Sequence, residues 1–178
     1  MKSSKVAKRY ARALLGLSTD HAQLEIWGAE LDKLARIVEA PAIAVAFASP
    51  EVTPASKLEA LAKIGEKLEL SYPVRSFAAV VARHGRIDDL PAVAEGYRGM
   101  LDDLIGRARA VLTFAQAPSD QELAQVLGGL EAIAHKKIIP TVNVDAALIG
   151  GVVAELEGKT YDGSLASRLA AAARRLAS

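Results

Sequence analysis

Apolar residues recur at three- and four-residue steps through residues 4–104, the period of a helix with one buried face. Val6, Tyr10, Leu14 and Leu17 mark one side of a first helix, with Ala7, Ala11 and Leu15 on an adjoining side. Leu24, Trp27, Leu31, Leu34 and Val38 mark a second helix, which ends before Pro41, and Ile43 to Ala48 forms a short third. Thr53 ahead of Pro54 predicts an N-cap with proline in the first turn of a fourth helix, along which Leu58, Leu61, Gly65 and Leu68 line one face. Pro73 opens a fifth through Val74, Phe77 and Val81, and Gly85 is placed to end it. Pro91 lies in the first turn of a sixth that carries Leu90, Val93, Tyr97, Met100 and Leu104.

The period then changes. Ala110 to Phe114 predicts a strand; Ser119 with Glu122 three residues on predicts a capping box and a helix to about His135. Ile138 to Val144 and Gly151 to Leu156 are further strands, and Pro140 pushes the first of them toward a sheet edge or a late start. Glu157-Gly158-Lys159 is a hairpin turn, and Leu165, Leu169 and Leu176 mark a last helix. The predicted fold is multidomain, α plus α/β: a six-helix bundle over 1–105, then a small α/β domain over 106–178.

Composition narrows the chemistry. With 51% apolar and 24% charged residues in 178, the chain belongs among globular proteins and not disordered ones. It has no cysteine, so disulfides, thiolate nucleophiles and thiolate metal sites are excluded together. His21, His84 and His135 are too far apart in sequence for a helical or H-x-H ligand pair, and no metal or other cofactor is expected. No apolar run nears the ~20 residues of a membrane span, and the reading is of a soluble protein in a reducing cytoplasm. The 22 basic and 21 acidic side chains leave a net charge of +1, so neither half is a polybasic module.

Nucleophile elbows, zinc-protease helices and phosphate-binding loops are absent from the sequence. The acidic pairs Asp88-Asp89 and Asp102-Asp103 fall at helix ends, where solvated side chains are expected. Gly150-Gly151 reads as a turn entering a strand, and Asp162-Gly163-Ser164 as a turn plus N-cap. An enzyme resting on those residues is a minor alternative. Lys2, Lys5, Lys8, Arg9 and Arg12 make the first helix basic, which motivates a second alternative, a nucleic-acid-binding helical regulator. Against it, the rest of the helical half is net negative and aromatics are only 4%. The apolar girth of the first and fifth helices exceeds one buried face. The fifth is therefore either central or shares its outer side with a partner helix.

The run Val6-Ala7-Lys8-Arg9-Tyr10-Ala11-Arg12-Ala13-Leu14 resembles the opening of the delta subunit family of rotary ATP synthases, which includes the mitochondrial oligomycin-sensitivity-conferring protein. Gly85-Arg86 with Leu90 and Tyr97, then Asp145, Leu148-Ile149-Gly150-Gly151, Asp162-Gly163-Ser164 and Leu169, extend the resemblance over nearly the whole chain. It implies a non-catalytic stator subunit of the proton-translocating ATP synthase, linking the catalytic head to the peripheral stalk against rotor torque. The implied partners are the N-terminal helix of an alpha subunit, held by the helical domain, and the C-terminal helices of b (and b-prime) subunits, held by the second domain. Carried over by position, the alpha-helix groove involves Tyr10, Ala11, Leu14, Phe77, Val80, Val81 and His84. Trp27 also matches a family position, but its i, i+4 spacing to Leu31 assigns it to the core. No nucleic acid is implied, and the membrane is reached only through the complex. With no presequence apparent, the expected place is the cytoplasmic face of a bacterial plasma membrane.

Overall fold

Several of the predicted helices open on a side chain that caps them in the computed structural model, which describes residues 5–164. The chain divides into two units, Met1–Ile105 and Gly106–Ser178. Among the described residues the first holds α1 (Lys5–Leu15), α2 (His21–Glu39), α3 (Pro41–Ala48), α4 (Pro54–Lys67), α5 (Tyr72–Arg83), a 3-10 turn (Ile87–Asp89) and α6 (Leu90–Ile105). The Asp20 carboxylate accepts from the Ala22 N–H at 3.0 Å to open α2, and the Thr53 hydroxyl accepts from Ser56 at 3.2 Å to open α4. α4 closes with Glu69 at φ 52°, so that Leu70 N–H reaches back to the Gly65 carbonyl at 3.0 Å. That leaves a glutamate in the left-handed position glycine usually takes.

The core of this unit is built on α2 and α6. Leu24, Trp27, Leu31, Leu34 and Val38 are all buried, as their spacing predicts, and face Leu90, Val93, Ala94, Tyr97 and Leu101. Tyr97 is fully buried; its hydroxyl donates to the Leu24 carbonyl at 2.9 Å, and burial pushes its pKa up to about 12. Gly28 allows that ring in, since a Cβ there would stand 3.2 Å from the Tyr97 Cε1. Asp32 and Arg98 pair across the same two helices. Tyr97→Phe removes one buried hydrogen bond and is expected to cost about 1 kcal/mol. The check is urea unfolding, with a lower midpoint at an unchanged slope.

Three expectations for this unit are corrected. The face that α1 buries is Ala7, Ala11 and Leu14, while Leu17 lies beyond the helix and is 64% exposed. Alanines let a neighbouring backbone approach where valine and leucine would hold it off, and α1 packs against both α6 and α5. On α6 the stripe drifts to Leu101, leaving Leu104 56% exposed. Asp102, expected in solvent, is buried.

In the second unit, β1 (Arg107–Phe114), α7 (Asp120–Ala134), β2 (Lys137–Val144), β3 (Val152–Leu156) and β4 (Lys159–Asp162) form a mixed sheet in the order β2-β1-β3-β4. β1 and β2 are parallel; β3 runs antiparallel to both β1 and β4. Pro140 sits in β2 opposite Ala110, at the sheet edge where a missing N–H breaks no ladder. Alternate β1 residues Ala108, Ala110, Leu112 and Phe114 are buried with Leu130 of α7, Ile138, Ala154 and Leu156. The capping box forms: Glu122 accepts from the Ser119 N–H at 2.8 Å, while the Ser119 hydroxyl accepts from the Glu122 N–H at 3.3 Å. The Ser119 N–H, then its hydroxyl, lower the Glu122 pKa from the ordinary carboxylate value. Glu157 (φ 50°) and Gly158 (φ 77°) turn β3 into β4, both positive as a type I′ hairpin requires. The predicted last helix lies outside the described residues.

Candidate functional site

α1 has basic residues at both ends and none that is acidic, and its small buried face brings it close to its neighbours. α5 is anchored from outside its own sequence. The Ser71 N–H and hydroxyl both donate to one Glu30 oxygen, at 2.9 and 2.6 Å, so a carboxylate on α2 meets the positive end of α5. At the other end His84 caps, Gly85 turns at φ 66°, and the N–H groups of Gly85 and Arg86 return to the carbonyls of Ala82 and Val81 at 2.9 and 3.0 Å. With both ends held, α5 meets α1 through Tyr10 and Phe77, whose rings pack edge to face at 6.2 Å and 79°.

The seven residues proposed from sequence separate into two sets along this seam. Ala11, Leu14 and Val81 are fully buried and Phe77 nearly so; they pack the two helices into the core and offer a partner little surface. Tyr10 is half-buried, Val80 is 44% exposed, and His84 is exposed. Helical spacing continues the accessible strip through Val6 and Ala13 on α1, and Leu17 is exposed just past the helix end; the seven omit all three. α5 is thus not central: Val74, Phe77, Ala78 and Val81 face inward, while its other side reaches solvent. Sequence reasoning had no signal for Glu30, which sits 41 residues before Ser71, nor for an apolar cleft of about 420 Å³ bordered by Leu34, Leu58, Leu61, Gly65, Leu70 and Tyr72.

The remaining candidates have structural roles. Asp88 and Asp89 lie in the 3-10 turn, with Asp89 3.4 Å from Arg86. Gly151 turns at φ +87°, where a Cβ would stand 2.5 Å from the Gly163 carbonyl oxygen. The Asp162 carboxylate accepts from the Ser164 N–H at 2.9 Å, closing a separate local turn at the end of β4. Among the described residues no three His, Asp or Glu side chains are grouped to hold a metal ion, and no helix is long and apolar enough to cross a membrane.

The chain is thus a two-unit α plus α/β protein, a helical unit with a solvent-facing apolar strip followed by a small mixed-sheet unit. The chain belongs to the ATP synthase delta (OSCP) subunit family, whose model matches residues 6–176. It is 36% identical over 170 residues to the ATP synthase subunit delta of Geobacter metallireducens, covering 95% of this chain and 94% of that one. The subunit delta of Citrifermentans bemidjiense is 32% identical over 171 residues, 96% and 95% of the two chains. The fold is also that of a chain in a cryo-EM structure of the Toxoplasma gondii mitochondrial ATP synthase hexamer, with TM-score 0.67 and 17% identity over 98% of this chain and 99% of that one.

Proposed function

We propose that this chain is a non-catalytic stator subunit of a proton-translocating ATP synthase, joining the catalytic head to the peripheral stalk. The observation that carries the reading is the α1–α5 seam: two helices locked by Tyr10 and Phe77 leave Tyr10, Val80 and His84 at the surface of a chain of this family. Such a strip suits the apolar side of an amphipathic helix, and the N-terminal helix of the alpha subunit is the occupant we assign to it. Ala11, Leu14, Phe77 and Val81 lie beneath the strip and hold its two walls together. The second unit takes the C-terminal helices of the b (and b-prime) subunits. Two moderate contacts to one assembly reinforce each other through effective concentration, so a stalk under torque needs neither to be extreme.

On this reading the chain binds no nucleic acid and takes no cofactor. It meets the membrane only through the complex, at the cytoplasmic face of a bacterial plasma membrane. The packing roles of Gly151 and Asp162 weaken the alternative enzyme reading, which rested on them. The test is calorimetric titration of the full chain with a synthetic peptide covering the N-terminal helix of the alpha subunit from the same genome. Saturable one-to-one heat, lost in Tyr10→Asp, is expected. Absence of heat overturns the assignment of this face.

A further inference from the structure

Charge is distributed unevenly over the helical unit. α1 carries Lys5, Lys8, Arg9 and Arg12, α5 carries Arg75 and Arg83, and neither holds an acidic residue. Every Asp and Glu of residues 1–104 therefore lies on another segment, although that stretch is neutral as a whole. Lys5 even stands in the first turn of α1, where the helix dipole disfavours a cation. Other cations find partners: Lys63 with Glu59, Arg86 with Asp89, Arg98 with Asp32, Lys136 with Glu157. Among the described residues no carboxylate pairs with Lys5, Lys8, Arg9, Arg12 or Arg83.

Two of these cations border the apolar strip. Arg9 stands three residues after Val6 and four before Ala13 on α1, and Arg83 three after Val80 on α5; both are exposed. Helical spacing puts one on the outer margin of each wall. We propose that the helix docking on this face has acidic flanks, with Arg9 and Arg83 as the residues that select its charge and set its register. The inference rests on the reading of the α1–α5 face as a helix-docking site. An apolar strip between cationic margins matches an amphipathic helix with glutamates or aspartates beside its apolar stripe. A nucleic acid offers nothing to cover Val6, Tyr10 and Val80. Exposed ion pairs add little affinity each, but complementary margins speed encounter and penalise a partner of the wrong sign.

The experiment titrates the full chain with two synthetic amphipathic helices that share one apolar stripe, flanked by glutamates in one and lysines in the other. At about 0.05 M salt the acidic peptide is expected to bind roughly tenfold more tightly, and at about 0.5 M salt the preference is expected to fall to about twofold. The double variant Arg9→Gln, Arg83→Gln is expected to lose most of the preference with an unchanged thermal midpoint. Equal binding of both peptides at low salt, or a preference for lysine flanks, overturns the charge inference and leaves the docking site standing. Binding of neither peptide overturns both, and a short DNA duplex that binds where neither peptide does reassigns the face to nucleic acid.

Discussion

Val80→Asp is expected to weaken binding of the alpha N-terminal peptide at least a hundredfold while the chain keeps its fold. Val80 is 44% exposed in the free protein, so a carboxylate there stays hydrated and folding loses little. In the complex a partner helix on the α1–α5 face removes that water without supplying a donor, a cost of about 3 kcal/mol. Tyr10→Asp has the same direction but also removes the ring pair with Phe77, so its effect mixes binding with packing. The check is calorimetric affinity beside thermal unfolding of the same sample. Wild-type affinity in Val80→Asp with an intact fold places the partner elsewhere.

The largest effect on stability is expected at Gly151. A Cβ there would lie 2.5 Å from the Gly163 carbonyl oxygen and 2.9 Å from the Ser164 Cα, both backbone atoms with no rotamer to yield, at a φ of +87° that side chains rarely adopt. Gly151→Ala is expected to cost about 3 kcal/mol and to speed amide exchange in β3 and β4. Gly128→Ala is the contrast, lying inside α7 with nothing within 4 Å of its Cβ. It is expected to stabilise by roughly 0.5–1 kcal/mol. Urea unfolding of the two variants separates a steric glycine from a merely permissive one, and equal effects would show the Gly151 turn to be free to relax.

Elements whose signal is local were legible in the chain itself. Thr53 before Pro54, Ser119 with Glu122, Gly85 after α5 and Gly158 in the hairpin each act within a few residues, so their types and spacing specify the turn or cap they form. The α2 stripe was equally plain because its large side chains leave no ambiguity about the buried face. α1 misled for the opposite reason. Hydrophobicity ranks Val6 and Leu17 above Ala7 and Ala11, but where helices approach closely volume decides, and the alanines went inside. Asp102 was read as solvated from its place near a helix end, yet its neighbours bury it.

The candidate site shows the same division. Its residues were named from positions in α1 and α5, and both helices do meet there, but one-dimensional spacing carried no information on which side chains remain accessible. Leu14 and Val81 are sealed within the core while Val80, one residue away from Val81, reaches solvent. Glu30 was invisible altogether, because a carboxylate capping a helix 41 residues later has no sequence grammar. The sequence by itself determined the order and type of most elements, the family, and the acid-free character of α1 and α5. Tertiary structure alone decided which alanines pack, where Gly151 lets two backbones approach, and which part of the seam reaches solvent. Those choices depend on volumes and distances between segments far apart in the chain, whereas periodicity and capping are properties of neighbours.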